Sequence, residues 1–357
     1  MESRYLTDLS LARIEKLVVS FGAPAYRAKQ LRHWLYQGLA FSFDEMSDLP
    51  KYFRQALAEH LILHNLNPIR EVTSRDGTIK ILFALPDGKT VESTVMPYPG
   101  NGLVRYTLCL STQVGCAIGC PFCATGQQGF ERNLTPGEII DQVLFFARRL
   151  RDEQPQNKIS NLVFMGMGEP LANYDNLWQA IEVLNAPDGF GLGARNMTIS
   201  TAGLVPQIKR LSGEKLQVGL AVSLHAITDK LRDWLVPLNK KYPLAQLIPA
   251  CREYVAKTGR RVTFEYILLE GVNDSLVQAR QLVHLIAGLN CHVNLIAANK
   301  TIGGDLRPSN PETVIAFVEE LKRLRIQCTV REGRGLDIDA GCGQLRSWYT
   351  GSTPASR

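Results

Sequence analysis

The stretch Tyr106-Thr-Leu-Cys-Leu-Ser-Thr-Gln-Val-Gly-Cys-Ala-Ile-Gly-Cys-Pro-Phe-Cys123 decides the fold. Its first part belongs to a short apolar strand, and its second part is a loop interrupted by glycine and proline. From here on the chain alternates strands with helical segments. The candidate strands are Arg105–Ser111, Ile159–Met165, Met197–Thr201, Gln217–Ser223, Arg261–Leu268, His292–Ile296 and Ile326–Arg331. Repeated βα units of this kind predict an α/β fold whose parallel sheet closes partly into a (βα)6-type TIM barrel.

The first hundred residues follow a different pattern. Apolar residues recur at helical spacing, three short strands follow, and prolines and glycines break the chain at residues 97–102. The helical stretches are Leu11–Ser20, Tyr26–Tyr36 and Tyr52–Leu63, and the strands are Ile69–Thr73, Ile79–Leu85 and Thr90–Met96. We therefore predict a small N-terminal α+β accessory domain at residues 1–100, the barrel at residues 101–348 and a loose C-terminal tail at residues 349–357.

Composition and charge exclude several classes of protein. The chain has 357 residues, of which 45% are hydrophobic and 21% charged, as in an ordinary globular protein. Its polar start, Met1–Tyr5, does not resemble a secretory signal, and no aliphatic run is long enough to span a bilayer. The sequence thus predicts a soluble, cytoplasmic protein without a membrane partner. The net charge of +6 is compatible with a nucleic-acid partner but does not require one.

Three of the eight cysteines, Cys116, Cys120 and Cys123, fall within eight residues. In a reducing compartment such a group is typical of a metal site rather than of disulfides. Thiolates suit zinc or an iron–sulfur cluster. A structural zinc site needs a fourth ligand, which Cys109 or His225 would have to supply because the sequence has no second half-site. The spacing therefore favours a 4Fe-4S cluster with one iron left open for a substrate.

Polar residues follow several predicted strands at the point where each strand ends. In a βα barrel these points share one rim, where binding and catalytic residues gather. The polar residues are Glu169, Ser200, Ser223, His225 and Asn299, and Gly168 and Leu224 are adjacent to them in the sequence. Each of them alone is equally well explained as a turn or capping residue. Their common rim favours a binding site.

The cysteine loop resembles the signature of the radical S-adenosylmethionine (SAM) superfamily, C-x₃-C-x-Φ-C, in which an aromatic residue precedes the last cysteine. The wider text includes Cys123-Ala-Thr-Gly-Gln-Gln-Gly-Phe-Glu-Arg-Asn-Leu-Thr135. It is similar to the RlmN/Cfr family of radical methyltransferases, which methylate an adenosine of large-subunit ribosomal RNA. The resemblance extends from about Tyr26 to Leu345.

The resemblance implies a role for each candidate residue. The three clustered cysteines would hold the 4Fe-4S cluster, and the rim residues would bind SAM, with Glu169 facing its amino group. Cys342, on a glycine-flanked loop that we expect to be exposed and mobile, would carry a methyl group. Cys109 would be its resolving partner, and Glu92 would accept a proton. Strand alternation alone would turn Glu92 toward solvent.

The implied chemistry is methylation of an sp² carbon, which is not nucleophilic. Two SAM molecules would be used per turnover. The first would methylate Cys342, and the second would be cleaved at the open iron to a 5′-deoxyadenosyl radical. This radical would take a hydrogen from the methylated Cys342, and the resulting carbon radical would add to adenine. Glu92 would then remove the ring proton, and Cys109 would attack Cys342 to form a disulfide and release the product.

The resemblance also implies partners and a choice between two branches. The branches methylate adenine at C2 or at C8, and we favour the C2 branch, which also acts on transfer RNA next to the anticodon. A flavodoxin or ferredoxin system would serve as reductant. The chain departs from the C2 branch at Ala297-Ala-Asn-Lys300, where that branch has proline, an aromatic residue, asparagine and proline. The shape of this loop, and with it the choice of substrate, is therefore open.

Basic and aromatic residues alternate in Tyr26-Arg-Ala-Lys-Gln-Leu-Arg-His-Trp34, as RNA contacts require. An ordinary amphipathic helix explains the same stretch equally well. Lys240-Lys-Tyr242 is a second candidate contact. Basic clusters such as Arg148–Arg151 are more typical of a solvated surface.

A rival hypothesis is a non-catalytic RNA-binding protein with a structural metal site. It predicts a colourless protein that contains zinc and tolerates changes at Cys109 and Cys342. A radical enzyme of another reaction type would keep the cluster but have no role for Cys342. The sequence therefore leaves three hypotheses that reconstitution of the metal site can separate.

Overall fold

The computed structural model describes residues 4–100, 104–297, 306–331 and 333–345. Three helices open the described chain: α1 (Leu11–Ser20), α2 (Arg27–Tyr36) and α3 (Lys51–His60). Each is amphipathic because apolar residues recur every three or four positions. On α1 this spacing buries Ile14 and Val18, and on α3 it buries Phe53 and Leu57. The helices agree with those expected from the sequence.

Ten of the twelve described strands form one sheet. The strands are β1 (Asn67–Thr73), β2 (Ile79–Ala84), β3 (Thr90–Pro99), β4 (Val104–Cys109), β5 (Gln113–Gly115), β6 (Phe130–Asn133), β7 (Ile159–Phe164), β8 (Met197–Thr201), β9 (Gly219–Ser223), β10 (Val262–Leu268), β11 (Cys291–Ala297) and β12 (Cys328–Arg331). The sheet order is β1-β2-β3-β4-β7-β8-β9-β10-β11-β12. Strands β1 to β4 pair antiparallel, whereas β4 and β7 to β12 run parallel.

The parallel part confirms the partial barrel predicted from the sequence. Six strands are each followed by a helix that returns the chain, and β12 completes the series. The helices are α4 (Ala124–Gln127), α5 (Pro136–Glu153), α6 (Tyr174–Asn185), α7 (Val205–Leu211), α8 (Asp229–Leu235), α9 (Leu244–Thr258), α10 (Leu276–Leu285) and α11 (Pro311–Arg323). Buried apolar residues such as Ile199, Leu220 and Phe264 line the inner strands, as a sheet covered on its faces requires, whereas the edge strand β12 has no buried residue.

The three N-terminal strands continue the sheet of the barrel. Strand β3 pairs with β4 over its whole C-terminal half, and Thr94 lies opposite Cys109. Strands β5 and β6 form a separate two-stranded hairpin around the cysteine loop. The sequence pattern does not predict this hairpin, because its strands are only three and four residues long.

A buried carboxylate attaches the N-terminal helices to the barrel. Asp141, on α5, accepts hydrogen bonds from the Thr7 hydroxyl at 3.0 Å, from the backbone N–H of Asn65 at 2.5 Å and from His64 Nδ1 at 2.9 Å. The other ring nitrogen of His64 lies 2.9 Å from the carbonyl of Ala40. No helix among the described residues is both long enough and apolar enough to cross a bilayer.

Candidate active site

Two neighbouring cavities open at the carboxyl ends of the barrel strands, as the barrel fold leads one to expect. The larger cavity encloses about 890 Å³. Its lining includes Cys116, Cys120, Cys123, Gly168, Glu169, Ser200, Ser223 and His225. The smaller cavity encloses about 670 Å³, and its lining includes Thr94, Met96, Cys109, Arg334 and Ala340. Cys342, Cys123 and Arg331 line both cavities.

The three clustered cysteines lie on the wall of the larger cavity. Cys116 follows β5, and Cys123 is the N-cap of the short helix α4. Burial and the neighbouring thiols raise the pKa of Cys120 well above its ordinary value, and burial raises that of Cys116 to about 12. Such thiols become thiolates only beside a positive centre, so this donor set fits an iron–sulfur cluster. Among the described residues, no three His, Cys, Asp or Glu side chains are arranged to bind a single metal ion. The fit to a cluster therefore rests on the type of donor and on the place of all three thiols in one cavity wall.

Glu169 links two loops of the rim and faces the larger cavity. Its carboxylate accepts hydrogen bonds from the backbone N–H groups of Ala202 at 2.7 Å and Leu171 at 3.1 Å. Burial raises the pKa of Glu169 to about 7, against the effect of these hydrogen bonds. A cationic ligand group would favour its ionised form. The preceding Gly168 has φ +103°, and a side chain there would meet Gln113 Cβ at 2.6 Å.

His225 is held in one orientation and one tautomer. Its Nδ1 accepts a hydrogen bond from the backbone N–H of Ile267 at 3.1 Å, so Nε2 carries the proton of the neutral ring. Burial and then the charge of Arg232 lower the pKa of His225 to about 3. Phe122, the aromatic residue before the last cysteine, packs edge-to-face on the ring at 4.9 Å. His225 can therefore donate a hydrogen bond to a ligand through its Nε2–H. Its backbone also adopts a strained φ of +56°.

The remaining candidate SAM-binding residues do not all line the larger cavity. Ser200 and Ser223 line the larger cavity, but Leu224 does not, because its side chain is fully buried in the core. The backbone of Leu224 is also engaged, since its N–H donates to the carbonyl of Glu265 at 3.0 Å. Asn299 lies outside the described residues.

Cys109 and Cys342 meet at the smaller cavity. Cys109 is the last residue of β4 and is buried, whereas Cys342 is exposed on the loop after β12. Burial and the nearby Cys342 raise the pKa of Cys109 to about 12, while the guanidinium of Arg331 lowers it. Negative charge on Cys342 and then on Glu265 raises the pKa of Arg331 in turn. The arrangement therefore places the guanidinium of Arg331 beside both thiols.

Glu92 is buried, so the solvent-facing position that strand alternation alone suggested is wrong. Strand β3 lies between β2 and β4, and its first seven residues are all buried. Glu92 shares a face of β3 with Thr94 and Met96, which line the smaller cavity. Its carboxylate forms an ion pair with the ammonium of Lys80 at 3.2 Å.

Three further residues of the site were not identified from the sequence. Arg331 lines both cavities, Glu265 lines the larger one, and Arg232 donates to the backbone of Ala202 and Ser223 in its wall. Glu265 could have been found, because it is a carboxylate in the otherwise apolar strand β10. Arg331 and Arg232 carried no such signal, since arginine is common at strand ends and on helices.

The structure also shows how the candidate RNA-contact residues are engaged. On α2, Arg32 forms an ion pair with Asp188 at 3.1 Å, and Trp34 donates to Asp48 at 2.5 Å. The cluster Arg148, Arg149 and Arg151 forms ion pairs with neighbouring carboxylates. Tyr26 remains exposed at the start of α2. If α2 contacts RNA, fewer of its side chains are therefore available for that contact than the sequence analysis suggested.

Comparisons with known proteins identify the family of this chain. Residues 110–283 match the radical SAM superfamily, and residues 5–63 match the family described as ribosomal RNA large subunit methyltransferase N-terminal domain. The dual-specificity RNA methyltransferase RlmN of an Anaeromyxobacter species is 50% identical over 343 residues, which cover 95% of this chain and 90% of that protein. The chain belongs to the RlmN family of radical SAM proteins.

Other relatives agree with this assignment. A probable dual-specificity RNA methyltransferase RlmN of Chloroflexus aurantiacus is 49% identical and covers 97% of this chain and 93% of its own length. The crystal structure of a radical SAM methyltransferase from Sphaerobacter thermophilus superposes with a TM-score of 0.92 at 50% identity. It covers 96% of this chain and 99% of its own chain. The RlmN family fold therefore extends over nearly the whole described molecule.

Proposed function

We propose that this RlmN family member is a radical SAM methyltransferase that methylates C2 of an adenosine in 23S ribosomal RNA and of an adenosine next to the anticodon in transfer RNA. The names of its relatives, which describe dual-specificity RNA methyltransferases, support the RNA substrates. The observation that carries the proposal is the position of Cys342. Cys342 lines both cavities. The larger cavity contains the three clustered thiols, and the smaller cavity contains the thiol of Cys109.

The larger cavity would bind the cluster and SAM. Cys116, Cys120 and Cys123 would hold a 4Fe-4S cluster, which supplies the electron for reductive cleavage of SAM. Glu169 would accept a hydrogen bond from the SAM amino group. Ser200, Ser223 and the Nε2–H of His225 would orient its polar groups. The protein also excludes water here, since Glu169 and His225 are almost fully buried.

The smaller cavity would be the place of methyl transfer. Cys342 would carry the methyl group, because it alone of these residues is exposed and lines both cavities. Glu92 would take the proton from the adenine carbon as the adduct gives up its unpaired electron, for which the 4Fe-4S cluster is an acceptor. The Cys109 thiolate would then attack the sulfur of Cys342 to form a disulfide, the bond between that sulfur and the transferred carbon would break, and this carbon would take up a proton to become the methyl group. Unstacking of the target adenine from its RNA is needed to bring it to this depth.

Anaerobic reconstitution tests the proposal. Reconstituted protein is incubated with reductant, SAM and either ribosomal RNA or transfer RNA, and mass spectrometry measures 5′-deoxyadenosine and methyladenosine. We expect both products, with the methyl group at C2. Absence of 5′-deoxyadenosine would exclude a radical enzyme, whereas methylation at C8 would exclude only the C2 assignment.

A pair of cysteine variants makes the test specific. Cys342→Ala should abolish methyladenosine formation because the methyl carrier is lost. Cys328→Ala is a matched control, since Cys328 is a half-buried strand cysteine that lines neither cavity. Equal activity of the two variants would contradict the proposed role of Cys342.

A further inference from the structure

The loop that carries Cys342 is held by the turn between β1 and β2. We call residues 335–345 the reactive loop and residues 74–78 the β1–β2 turn. The hydroxyl of Ser74 donates to Asp337 at 2.5 Å, and the backbone N–H of Arg75 donates to the same carboxylate at 3.2 Å. In the opposite direction, the backbone N–H of Gly335 donates to Asp76 at 3.0 Å. The N-terminal strands thus hold one end of the reactive loop.

The other end of the reactive loop is attached next to the clustered cysteines. The backbone N–H of Ala124 donates to the carbonyl of Gly343 at 2.7 Å, and the Thr125 hydroxyl donates to the carbonyl of Leu345 at 2.5 Å. Both donors directly follow Cys123. Cys342 therefore lies on a short span that is held at both ends, although its own side chain is exposed.

Lys80 connects this loop to Glu92. Its ammonium donates to the carbonyl of Asp339 at 3.0 Å and lies 3.2 Å from a carboxylate oxygen of Glu92. Both charged side chains are about nine-tenths buried, so the charges are poorly screened by water. Asp339 has a left-handed φ of +53°, a conformation that persists only where neighbouring groups hold it. Asp339 precedes Cys342 by three residues.

We propose that Lys80 is a positioning residue that fixes the Glu92 carboxylate relative to the loop that carries Cys342. This inference rests on the proposed function, in which both groups act on the same carbon of adenine. The carbon held by Cys342 bonds to the ring carbon, and Glu92 removes the proton from it. Lys80 bonds to the Glu92 carboxylate and to the backbone of the loop that carries Cys342, so it sets the geometry in which the two events occur on one atom.

The chemistry of lysine suits this task. An ammonium has three donors at the end of a flexible stem, so it can bond a carbonyl and a carboxylate at the same time. Lys80 forms and breaks no covalent bond in the reaction. A displacement of about 1 Å in reacting groups costs on the order of 10²-fold in rate. Loss of Lys80 should therefore slow methyl transfer without preventing SAM cleavage.

Four variants test the inference. Lys80→Met removes the ammonium but keeps the apolar stem, and Lys80→Arg restores a cationic donor. Asp337→Asn weakens the hold on the reactive loop without touching Glu92, and it remains informative if Lys80→Met fails to fold. Lys89→Met is the matched control, because Lys89 forms a more exposed ion pair, with Glu131 rather than with the reactive loop.

We expect Lys80→Met to lose methylation activity but to keep SAM cleavage. The kcat for methyladenosine should fall by about 10²-fold while KM for the RNA is unchanged. The amount of 5′-deoxyadenosine per methyl group should rise, because SAM is still cleaved. Amide hydrogen exchange in residues 335–345 should be faster in Lys80→Met and in Asp337→Asn. Lys80→Arg should recover part of the methylation, and Lys89→Met should match the wild-type protein.

Three results would overturn the inference. These are methylation by Lys80→Met at the wild-type rate, equal loss of 5′-deoxyadenosine and methyladenosine, and unchanged exchange in the reactive loop. A wild-type protein that forms neither product would instead overturn the proposed function and the catalytic half of this inference with it. An active wild-type protein with an unaffected Lys80→Met variant would overturn this inference alone.

Discussion

Cys342 and Cys109 differ in burial, and this difference matters for their chemistry. Cys342 is exposed at the junction of the two cavities, whereas Cys109 is buried and its pKa is raised to about 12. Cys109 is therefore a protonated thiol at neutral pH. Such a thiol is a poor nucleophile until it is deprotonated, so the attack on Cys342 that we propose would require loss of the Cys109 proton first.

Replacement of Cys109 should still allow the carbon on Cys342 to add to adenine but should prevent release of the methylated RNA. In Cys109→Ala no thiol can attack Cys342, so methyladenosine should fall to background while RNA becomes covalently attached to the protein. Denaturing gel electrophoresis and mass spectrometry of the attached nucleotide measure this outcome. Cys328→Ala should release product normally. Unattached, methylated RNA from Cys109→Ala would contradict the role assigned to Cys109.

Gly168 provides a second prediction for a single residue. Its φ is +103°, and an added Cβ would lie only 2.6 Å from Gln113 Cβ, so Gly168→Ala must displace the backbone beside Glu169. We expect a loss of about 1–3 kcal/mol in the free energy of unfolding and at least tenfold weaker SAM binding. Gly191→Ala is the control, since Gly191 has φ +78° but open space around it. It should cost about 1–2 kcal/mol and leave SAM binding unchanged. Equal SAM affinities of Gly168→Ala and Gly191→Ala would show that a side chain at position 168 does not disturb SAM binding.

At the scale of elements, helix α8 holds the ends of two barrel strands together through Arg232. This side chain is fully buried, and its guanidinium donates to the carbonyls of Ala202 at 2.6 Å, Ser223 at 2.9 Å and Leu224 at 3.1 Å. A fourth bond, to Asn239 at 2.9 Å, fixes its orientation. Burial lowers the pKa of Arg232 to about 10, which leaves it charged at neutral pH.

Arg232→Lys should weaken both the fold and the site. A lysine keeps the charge but cannot reach the same set of acceptors, and each buried acceptor left unpaired costs about 1–3 kcal/mol. Since Ser223 and His225 lie on the loops that Arg232 holds, SAM binding should weaken as well. Denaturant unfolding and equilibrium binding measure the two effects. Arg323→Lys, at an exposed position on α11, should change neither, and an equally stable Arg232→Lys variant would contradict the prediction.

At the scale of the whole molecule, His64 makes the attachment of the N-terminal helices sensitive to pH. Burial lowers its pKa, but the hydrogen bond and charge of Asp141 outweigh burial, so the net pKa lies above the ordinary 6.5. A raised pKa in the folded state means that protonated His64 stabilises the fold. This contribution is present below about pH 6.5 and is lost as pH rises through the raised value.

His64→Gln should therefore cost more stability in acid than in alkali. We expect the difference in free energy of unfolding from the wild-type protein to be larger near pH 6 than near pH 9. Urea denaturation at both values gives this difference. His60→Gln, at an exposed helix end, should show no such dependence. A larger cost for His64→Gln at the higher pH would reverse the sign we infer.

The sequence predicted the elements of the molecule better than it predicted their contacts. Strand and helix periodicity placed nearly every strand of the main sheet, and its signal is clearest in β2, β8, β9 and β10, which are rich in buried apolar residues. The edge strands β1 and β12 contain no buried residue. Periodicity failed for Glu92, since it assumes one solvated face and β3 has none. It also gave no indication of Lys80 or Arg232, whose roles depend on groups far away in the chain. Such contacts are fixed by tertiary packing and leave no local pattern.

Because β1 to β3 and the barrel strands form one sheet, the molecule cannot be divided between β3 and β4 without loss of structure. A fragment that begins at β4 would lose Lys80 and Glu92 and would expose the edge of β4, where unpaired backbone groups recruit other strands. Such a truncated barrel should aggregate even if its own helices form. Exchange of the first hundred residues with a relative would likewise replace Glu92, the carboxylate that we propose removes the ring proton, together with the surface around it. Chimeric enzymes joined at residues 97–102 would therefore differ in catalytic competence as well as in RNA preference.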